Sequence, residues 1–438
     1  MASNDGIPLD LKIPDYWDEA TLLDVCHVIT DGTHKTPKYQ TDGIRFLSIK
    51  NIRPFKPVNW DSYERYISHE EHRELIKRCF PERDDILFPR IGTLGFAKRI
   101  DFDETVSLFV GLGLLKPNKT CVTPQYLEYW MNSPLISELS RSHATGSGRL
   151  TLALKSSRRF PIPLPPLPEQ ERIVAMLDEA FAAIDTATAN TEKNLANAKE
   201  LFEQSTARAF LKPDSKNWPL TTVQEIAVKK KGSMRTGPFG SQLLHKEFTT
   251  EGIAVLGIDN AVNNSFAWDQ RRFISEDKFL ELSRFEAYPG DVVITIMGTC
   301  GRCAVLPEDL PKAITSKHLC CITTDRDLCN PEFLHFYFLH HPRLVKYLKK
   351  HAKGAIMAGL NMTIIKSLPL ELPPLDTQHD LVKQFHKIKD ADILLSECLA
   401  DRLTLLTNLK QSLLQKAFTG ELTADPKVVD RTLSEASV

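Results

Sequence analysis

Two long stretches of this chain repeat one another. Asp42-Gly43-Ile44-Arg45-Phe46-Leu47-Ser48-Ile49 reappears as Glu251-Gly252-Ile253-Ala254-Val255-Leu256-Gly257-Ile258. Asp85-Ile86-Leu87-Phe88 followed by Gly92-Thr93-Leu94-Gly95 returns as Asp291-Val292-Val293-Ile294 followed by Gly298-Thr299-Cys300-Gly301. Pro124-Gln125-Tyr126-Leu127 returns as Pro331-Glu332-Phe333-Leu334. The clearest pair is Pro161-Ile162-Pro163-Leu164-Pro165-Pro166-Leu167 with Pro369-Leu370-Glu371-Leu372-Pro373-Pro374-Leu375, and Gln170 and Gln378 follow at matching distances. A long period used only twice excludes a solenoid and predicts a duplicated module.

The order within each copy is globular, then helical. In the globular parts, β-branched and aromatic runs such as Asp291-Val292-Val293-Ile294-Thr295-Ile296 alternate with Gly and Pro turns, the signature of short strands. Helical stretches such as residues 124–139 are interspersed. After each Pro-rich run a long helix is predicted. Pro168-Glu169-Gln170-Glu171 places proline and acids in a first turn. Ile173, Leu177, Ala180, Ile184 and Ala187 keep a 4-3-4-3 spacing, and the stripe then shifts one place to Leu195, Ala198, Phe202, Ser205 and Ala209. The second helix is expected from Asp376-Thr377-Gln378, with Thr377 as N-cap. Leu381, Phe385, Ile388, Leu395, Leu399, Leu406, Leu409 and Leu413 form its seam, broken by Asp392 and Arg402, and Thr419-Gly420 stops it. Helices of ~40 residues are ~60 Å long, too long for one small domain, so two apolar seams predict pairing as a coiled coil. The alternative is two helices each buried on its own domain.

The fold class predicted is α+β: two duplicated mixed α/β domains separated by two long helices that pair as an antiparallel coiled coil. The boundaries are 1–160, 161–213, 214–368 and 369–422, with a flexible tail over 423–438.

Composition bounds the function weakly. The chain has 438 residues and a net charge of −1, so any basic surface is local. Nine cysteines without framework spacing read as reduced thiols. The N-terminus lacks the apolar run of a signal peptide, and no apolar stretch reaches the ~18 residues of a membrane span. A cytoplasmic protein with no membrane association is expected. No Gly-x-x-x-x-Gly-Lys-Ser/Thr phosphate loop and no Asn-Pro-Pro-Phe/Tyr methyltransferase segment is present, which argues against ATP hydrolysis or methyl transfer by this chain. Cys300-Gly301-Arg302-Cys303 with Cys320-Cys321 approaches zinc-ribbon spacing, but the first copy has Leu94-Gly95-Phe96-Ala97 at the same place. The module therefore has no need of metal, and no metal site is assigned.

Two local basic segments are better signals. Arg141, Arg149, Lys155, Arg158 and Arg159 occur without an intervening acid, as do Arg343, Lys346, Lys349, Lys350 and Lys353. Both lie shortly before a Pro-rich run. Contact with DNA phosphates is one reading and a solvated face the other. Lys229-Lys230-Lys231 with Arg235 forms a third stretch. The glycine loops, carrying Thr93 and Thr299 and flanked by Arg90 and Arg302, could approach a nucleic-acid backbone or bases, or simply connect strands.

The Pro-rich strand followed by Glu169-Gln170 or Thr377-Gln378 and a long helix resembles the conserved regions of type I restriction–modification specificity subunits. Leu413-Leu414-Gln415-Lys416-Ala417-Phe418-Thr419-Gly420-Glu421-Leu422 resembles the usual end of the second conserved helix. Gly237-Pro238-Phe239-Gly240-Ser241 and Asn361-Met362-Thr363 resemble segments early and late in the family's target recognition domains, which adds Ser241 and Asn361 to the candidates. The resemblance implies two target recognition domains, each reading half of a bipartite, asymmetric site in double-stranded DNA. It implies two methyltransferase subunits docked on the helical regions, with restriction translocase–nuclease subunits joining them. This chain would be non-catalytic and hold no cofactor, with S-adenosylmethionine, ATP and Mg on the partners. Competing readings are a coiled-coil scaffold with no DNA role, and an enzyme whose motifs go unrecognised.

Overall fold

The duplication is visible strand by strand in a computed structural model that describes residues 7–62, 64–211, 217–268, 271–352 and 360–424. The chain forms two units. One comprises residues 1–192 and 400–438, the other residues 193–399. The divisions between the units fall inside the long helices.

In the first unit, an antiparallel sheet runs in the order Cys26–Asp31, Leu112–Pro117, Ile86–Pro89, Lys98–Arg99. A second sheet places Ile44–Leu47 between Tyr66–Ile67, antiparallel, and Val106–Leu108, parallel. The other unit repeats this design. Met234–Thr236, Leu319–Ile322, Val292–Thr295 and Cys303–Val305 form the antiparallel sheet, while Ile253–Leu256 lies between Phe273–Ile274 and Ala313–Thr315. Here an edge strand, Glu286–Ala287, is added beside Ala313–Thr315. Ile86–Pro89 and Val292–Thr295 are buried along their whole length, so neither face alternates with solvent and their apolar residues run on without a break.

The Pro-rich runs are strands because prolines are tolerated where one backbone edge goes unpaired. Pro161–Leu164 pairs with Asp18–Thr21, and Pro369–Glu371 with Leu220–Thr222. In the first unit the indole of Trp130 donates to Pro161 O at 2.8 Å and the hydroxyl of Tyr126 to Pro163 O at 2.8 Å. Both donors belong to the helix Pro124–Met131. The helix expected over 124–139 is two, Pro124–Met131 and Pro134–Ser142, because Ser133 caps the second with Pro134 in its first turn.

Each long helix spans 44 residues, Leu167–Phe210 and Leu375–Phe418. Thr377 is not an N-cap: Gln378 N already donates to Pro374 O at 3.0 Å, so the helix starts before it, as Gln170 N does to Pro166 O. The pairing is antiparallel. In the first unit, Ile173, Leu177, Phe181 and Ile184 share a core with Leu406, Leu413 and Phe418, and Lys410 Nζ meets Asp185 at 2.7 Å. In the other unit, Ala209 and Phe210 share a core with Leu381, Val382 and Phe385. The seam departs from expectation at Leu395, which is exposed while Asp392 and Ser396 are half-buried. It also contains buried Thr191 and Thr206, whose hydroxyls donate to carbonyls four residues back, at Ala187 and Phe202.

Gln170 and Gln378 explain why they recur. Both are fully buried. Gln170 donates to Cys121 O and Pro165 O and accepts from Thr123 N; Gln378 donates to Leu328 O and Pro373 O and accepts from Asn330 N, all at 2.8–2.9 Å. Each amide fastens the start of a long helix to the loop before an N-capped helix.

The second long helix ends at Gly420, whose φ of +76° favours glycine. The first two residues of the expected tail, 423 and 424, are helical. Thr423 lies in a short helix, Glu421–Ala424, and its hydroxyl donates to Glu169, which also accepts from Tyr16 and Trp17. The rest of that tail, residues 425–438, falls outside the described residues. No helix among the described residues is long and apolar enough to cross a membrane.

Candidate nucleic-acid interface

The first unit brings its basic segment and its glycine loop together. The segment forms a hairpin, Ala144–Thr145 with Thr151–Leu152. Leu152 N donates to Arg90 O at 2.7 Å and Gly92 N to Leu150 O at 2.8 Å. Exposed Thr93 and exposed Arg149 are thus carried by loops stitched to one another. The same bond recurs in the other unit, where Leu360 N donates to Ile296 O at 3.0 Å.

Arg90 and Arg235 differ from expectation. Both side chains are buried and paired: Arg90 with Asp31 and with Leu152 O, Arg235 with Asp291, Thr323 and the carbonyls of Gly232 and Glu286. A buried guanidinium persists only when its donors are satisfied, and these serve the sheets rather than a surface. Asn361 is exposed, but its side-chain oxygen accepts from Ile364 N at 2.9 Å and caps the helix Met362–Lys366.

The remaining candidates lie at the surface. Lys155, Arg158 and Arg159 are exposed on and just after the short helix Leu154–Ser157, with Arg158 donating to Ile29 O at 3.1 Å. Ser241 is exposed in the turn Gly240–Gln242, and Thr299 and Arg302 are exposed in the second glycine loop. Lys346 is exposed on the helix Pro342–Ala352. Lys353 and the side chain of Lys350 lie outside the described residues. The two basic segments are not equivalent in three dimensions. The first spreads over a helix end, a hairpin and a second helix, whereas Arg343 and Lys346 sit on one helix.

The cysteine cluster is interior: Cys303, Cys320 and Cys321 are fully buried, and burial pushes the Cys320 thiol up to about 12.

Each unit also contains a recess that sequence reasoning missed. In the first it holds about 230 Å³ and is lined by Thr36, Tyr39, Ser48, Lys50, Arg65 and Arg149 over Phe46, Ile49 and Phe109. In the second it holds about 710 Å³, and its polar lining includes His245, Asp259, Arg271, Arg272, Lys317 and His318. The two occupy the same place in the repeat. Arg65 and Arg272 each precede the short edge strand, Ile49 and Ile258 each follow the central strand, and Phe109 and Ser316 each follow the parallel partner. Arg65-Tyr66-Ile67-Ser68 and Arg272-Phe273-Ile274-Ser275 were the signal available for finding it.

A second pair of hollows lies between helix pair and domain within each unit. One, about 620 Å³, is lined by Ile184, Thr188, Thr407, Lys410 and Gln411 among others. The other, about 1030 Å³, is lined by Asp392, Ser396, Lys199, Phe202 and Glu203, together with Arg302 and Lys346.

The chain is thus a duplicated protein with an unlike cationic recess in each of its two units. The family model for the type I restriction modification DNA specificity domain matches residues 14–197 and 240–404, and the chain belongs to that family. Among curated relatives, the type I restriction enzyme EcoKI specificity subunit of Escherichia coli strain K12 is 24% identical over 94% of this chain and 90% of its own length. The EcoBI specificity subunit of Escherichia coli is 24% identical, the match spanning 60% of this chain and 58% of that protein. Two solved structures share the fold. A chain from a study of complex assembly and conformational transition of the type I R-M system gives a TM-score of 0.71 at 18% identity, covering 94% of this chain and 100% of that one. The HsdS subunit from Thermoanaerobacter tengcongensis gives 0.55 at 18% identity, covering 94% and 98%.

Proposed function

We propose that this chain is the non-catalytic DNA-reading subunit of a type I restriction–modification complex, each globular domain reading half of a bipartite, asymmetric site. The observation that carries this reading is the repeated recess. The same fold presents two concave cationic surfaces with different side chains, which suits two different half-sites on one duplex. Two copies of a methyltransferase subunit would dock on the helical regions, where the paired hollows offer pseudo-equivalent surfaces. Large apolar side chains are also left exposed on the helices, at Leu201, Leu394 and Leu405. Restriction translocase–nuclease subunits would join that core. S-adenosylmethionine, ATP and Mg would be held by the partners.

The test is reconstitution. The lone chain is expected neither to methylate nor to cleave DNA. With its methyltransferase subunit and S-adenosylmethionine it is expected to direct methylation to one bipartite sequence. Turnover by the purified chain alone would sink the assignment, as would a complex that methylates without sequence preference.

Lys155, Arg158 and Arg159 fit phosphate contacts, since exposed cations position a duplex without reading it. Replacing all three with Ala is expected to weaken binding to all sequences alike. Each lost contact would flatten the dependence of log K on log salt by about 0.9. A slope unchanged in a binding titration from 50 to 200 mM salt would return these residues to a solvated face.

A further inference from the structure

The two recesses share a frame and differ in lining. Gly32 and Gly237 each press against the carbonyl of the last residue of the parallel strand: an added Cβ would lie 2.2 Å from Leu108 O and 1.9 Å from Thr315 O. No other residue fits there, so the chain crosses closely over the strand end in both copies. The turn forming the floor is also shared. Asn51 Oδ1 accepts from Ser48 N at 2.9 Å while its amide donates to Asn59 O; Asn260 Oδ1 accepts from Gly257 N at 2.8 Å while its amide donates to Ala267 O. Both asparagines are buried.

On this common frame the side chains are unlike. The first recess presents Lys50, Arg65 and Arg149, with hydroxyls from Thr36, Ser48 and Tyr39 and no carboxylate among its lining residues. The Arg65 guanidinium lies 4.1 Å from the centre of the Tyr39 ring, close enough for a cation–π attraction to hold it at the wall. The second presents Arg271, Arg272 and Lys317 with two histidines and one acid, Asp259. Asp259 Oδ1 is held by Arg272 at 2.5 Å, and among the described residues its buried Oδ2 has no partner, nor has the buried hydroxyl oxygen of Ser316 in the same wall. A buried carboxylate oxygen left without a donor is costly and is ready to accept one.

We propose that these recesses select the bases of the two half-sites, the first through cationic donors alone and the second through an Arg272–Asp259 pair that both donates and accepts. The inference rests on the DNA-reading function proposed above. In the major groove, guanine shows two acceptors, N7 and O6, and cytosine shows an amino donor. A recess rich in cationic donors fits the guanine edge. A guanidinium beside a carboxylate with a spare oxygen fits both members of a G·C pair. A shared frame with unlike lining is what two readers built from one module require.

The experiment is base-resolution mapping of methylation in cells that carry the complete complex. Two double variants are used, Lys50→Gln with Arg149→Gln and Arg271→Gln with Lys317→Gln, together with Asp259→Asn. All four of the cationic side chains are exposed, so the doubles are expected to fold, as thermal melting of the purified complex would verify. Each double is expected to relax discrimination at positions of one half-site by roughly 5- to 150-fold, the range for a lost bidentate base contact, while the other half-site stays intact. Asp259→Asn is expected to alter the half-site changed by Arg271→Gln with Lys317→Gln. An unaltered site in both doubles and in Asp259→Asn, methylated at the original level, would overturn the inference and leave the DNA-reading function standing. So would a uniform loss over an unaltered site with a flatter salt dependence, the signature of phosphate contacts. If the unaltered complex directed no methylation to a defined site, the DNA-reading function would itself fail and the inference with it.

Discussion

Acidification from pH 7 to pH 4.5 is expected to unfold residues 193–399 before the rest of the protein. Three histidines lie on or just after the helix Pro331–His340: His335, His340 and His341. His335 and His341 are buried, and His340 stacks on Phe336. Burial pushes all three down to about 4, with Lys389 acting in the same direction on His335 and His340, and Arg343 on His341. Contacts to the carbonyls of Asn264 and Cys303 oppose this at His335, as does Glu332, and Glu371 lies 3.7 Å from His341. Above pH 6.5 both folded and unfolded forms are neutral. As the pH falls below that, the unfolded chain takes up protons that the folded one refuses, at about 1.4 kcal/mol per pH unit and histidine. The loss continues until the folded form titrates near 4. In residues 1–192 the equivalent helix Pro124–Met131 carries no histidine. Burial raises Asp85 and Glu128 there, which favours the folded form in acid, against a lowered Asp84. Hydrogen exchange resolved by peptide should show the second unit opening first. His335→Gln with His341→Gln should lower its acid midpoint. Coincident transitions, indifferent to the substitutions, would dismiss this account.

Phe418→Ala and Phe210→Ala are expected to cost about 3–5 kcal/mol each, the range for a buried aromatic truncated to Ala. These residues end the two long helices and are fully buried. Phe418 meets Trp130 and Tyr126 at centroid distances of 4.9 and 5.3 Å. Phe210 meets Phe385 and Tyr337 at 4.9 and 5.4 Å. Each substitution should lower the urea midpoint of the unit into which its ring inserts. Phe→Leu at either position should recover part of the loss. A cost below about 1 kcal/mol for both would mean that the rings are not what closes the cores.

Repeats and periodicities were legible because they depend on neighbours in sequence. The two modules, the long helices, the Gly420 stop and the matched Gln170 and Gln378 could all be read before any coordinates. Positions decided by distant partners could not. Arg90 beside a glycine loop reads as surface until Asp31, 59 residues away, is found against it. Arg235 reads the same way until Asp291 is found. Leu395 satisfies a heptad that the partner helix does not meet. The recesses were missed because their linings come from separate segments: Arg65 stands alone among basic residues, and Arg271-Arg272 is too short to read as a basic run.

The interleaving of the units has a consequence for synthesis on the ribosome. Residues 193–399 are continuous, so that unit can close as soon as it has emerged. The other waits: Trp130 and Tyr126 are made early, but Phe418 comes almost 300 residues later. At roughly 5–20 residues per second, that interval is on the order of 15–60 s. Throughout it, an unfinished aromatic core is open to solvent and to other nascent chains. A message cut short before Leu413 would leave the first-made half of the protein as the one that never completes.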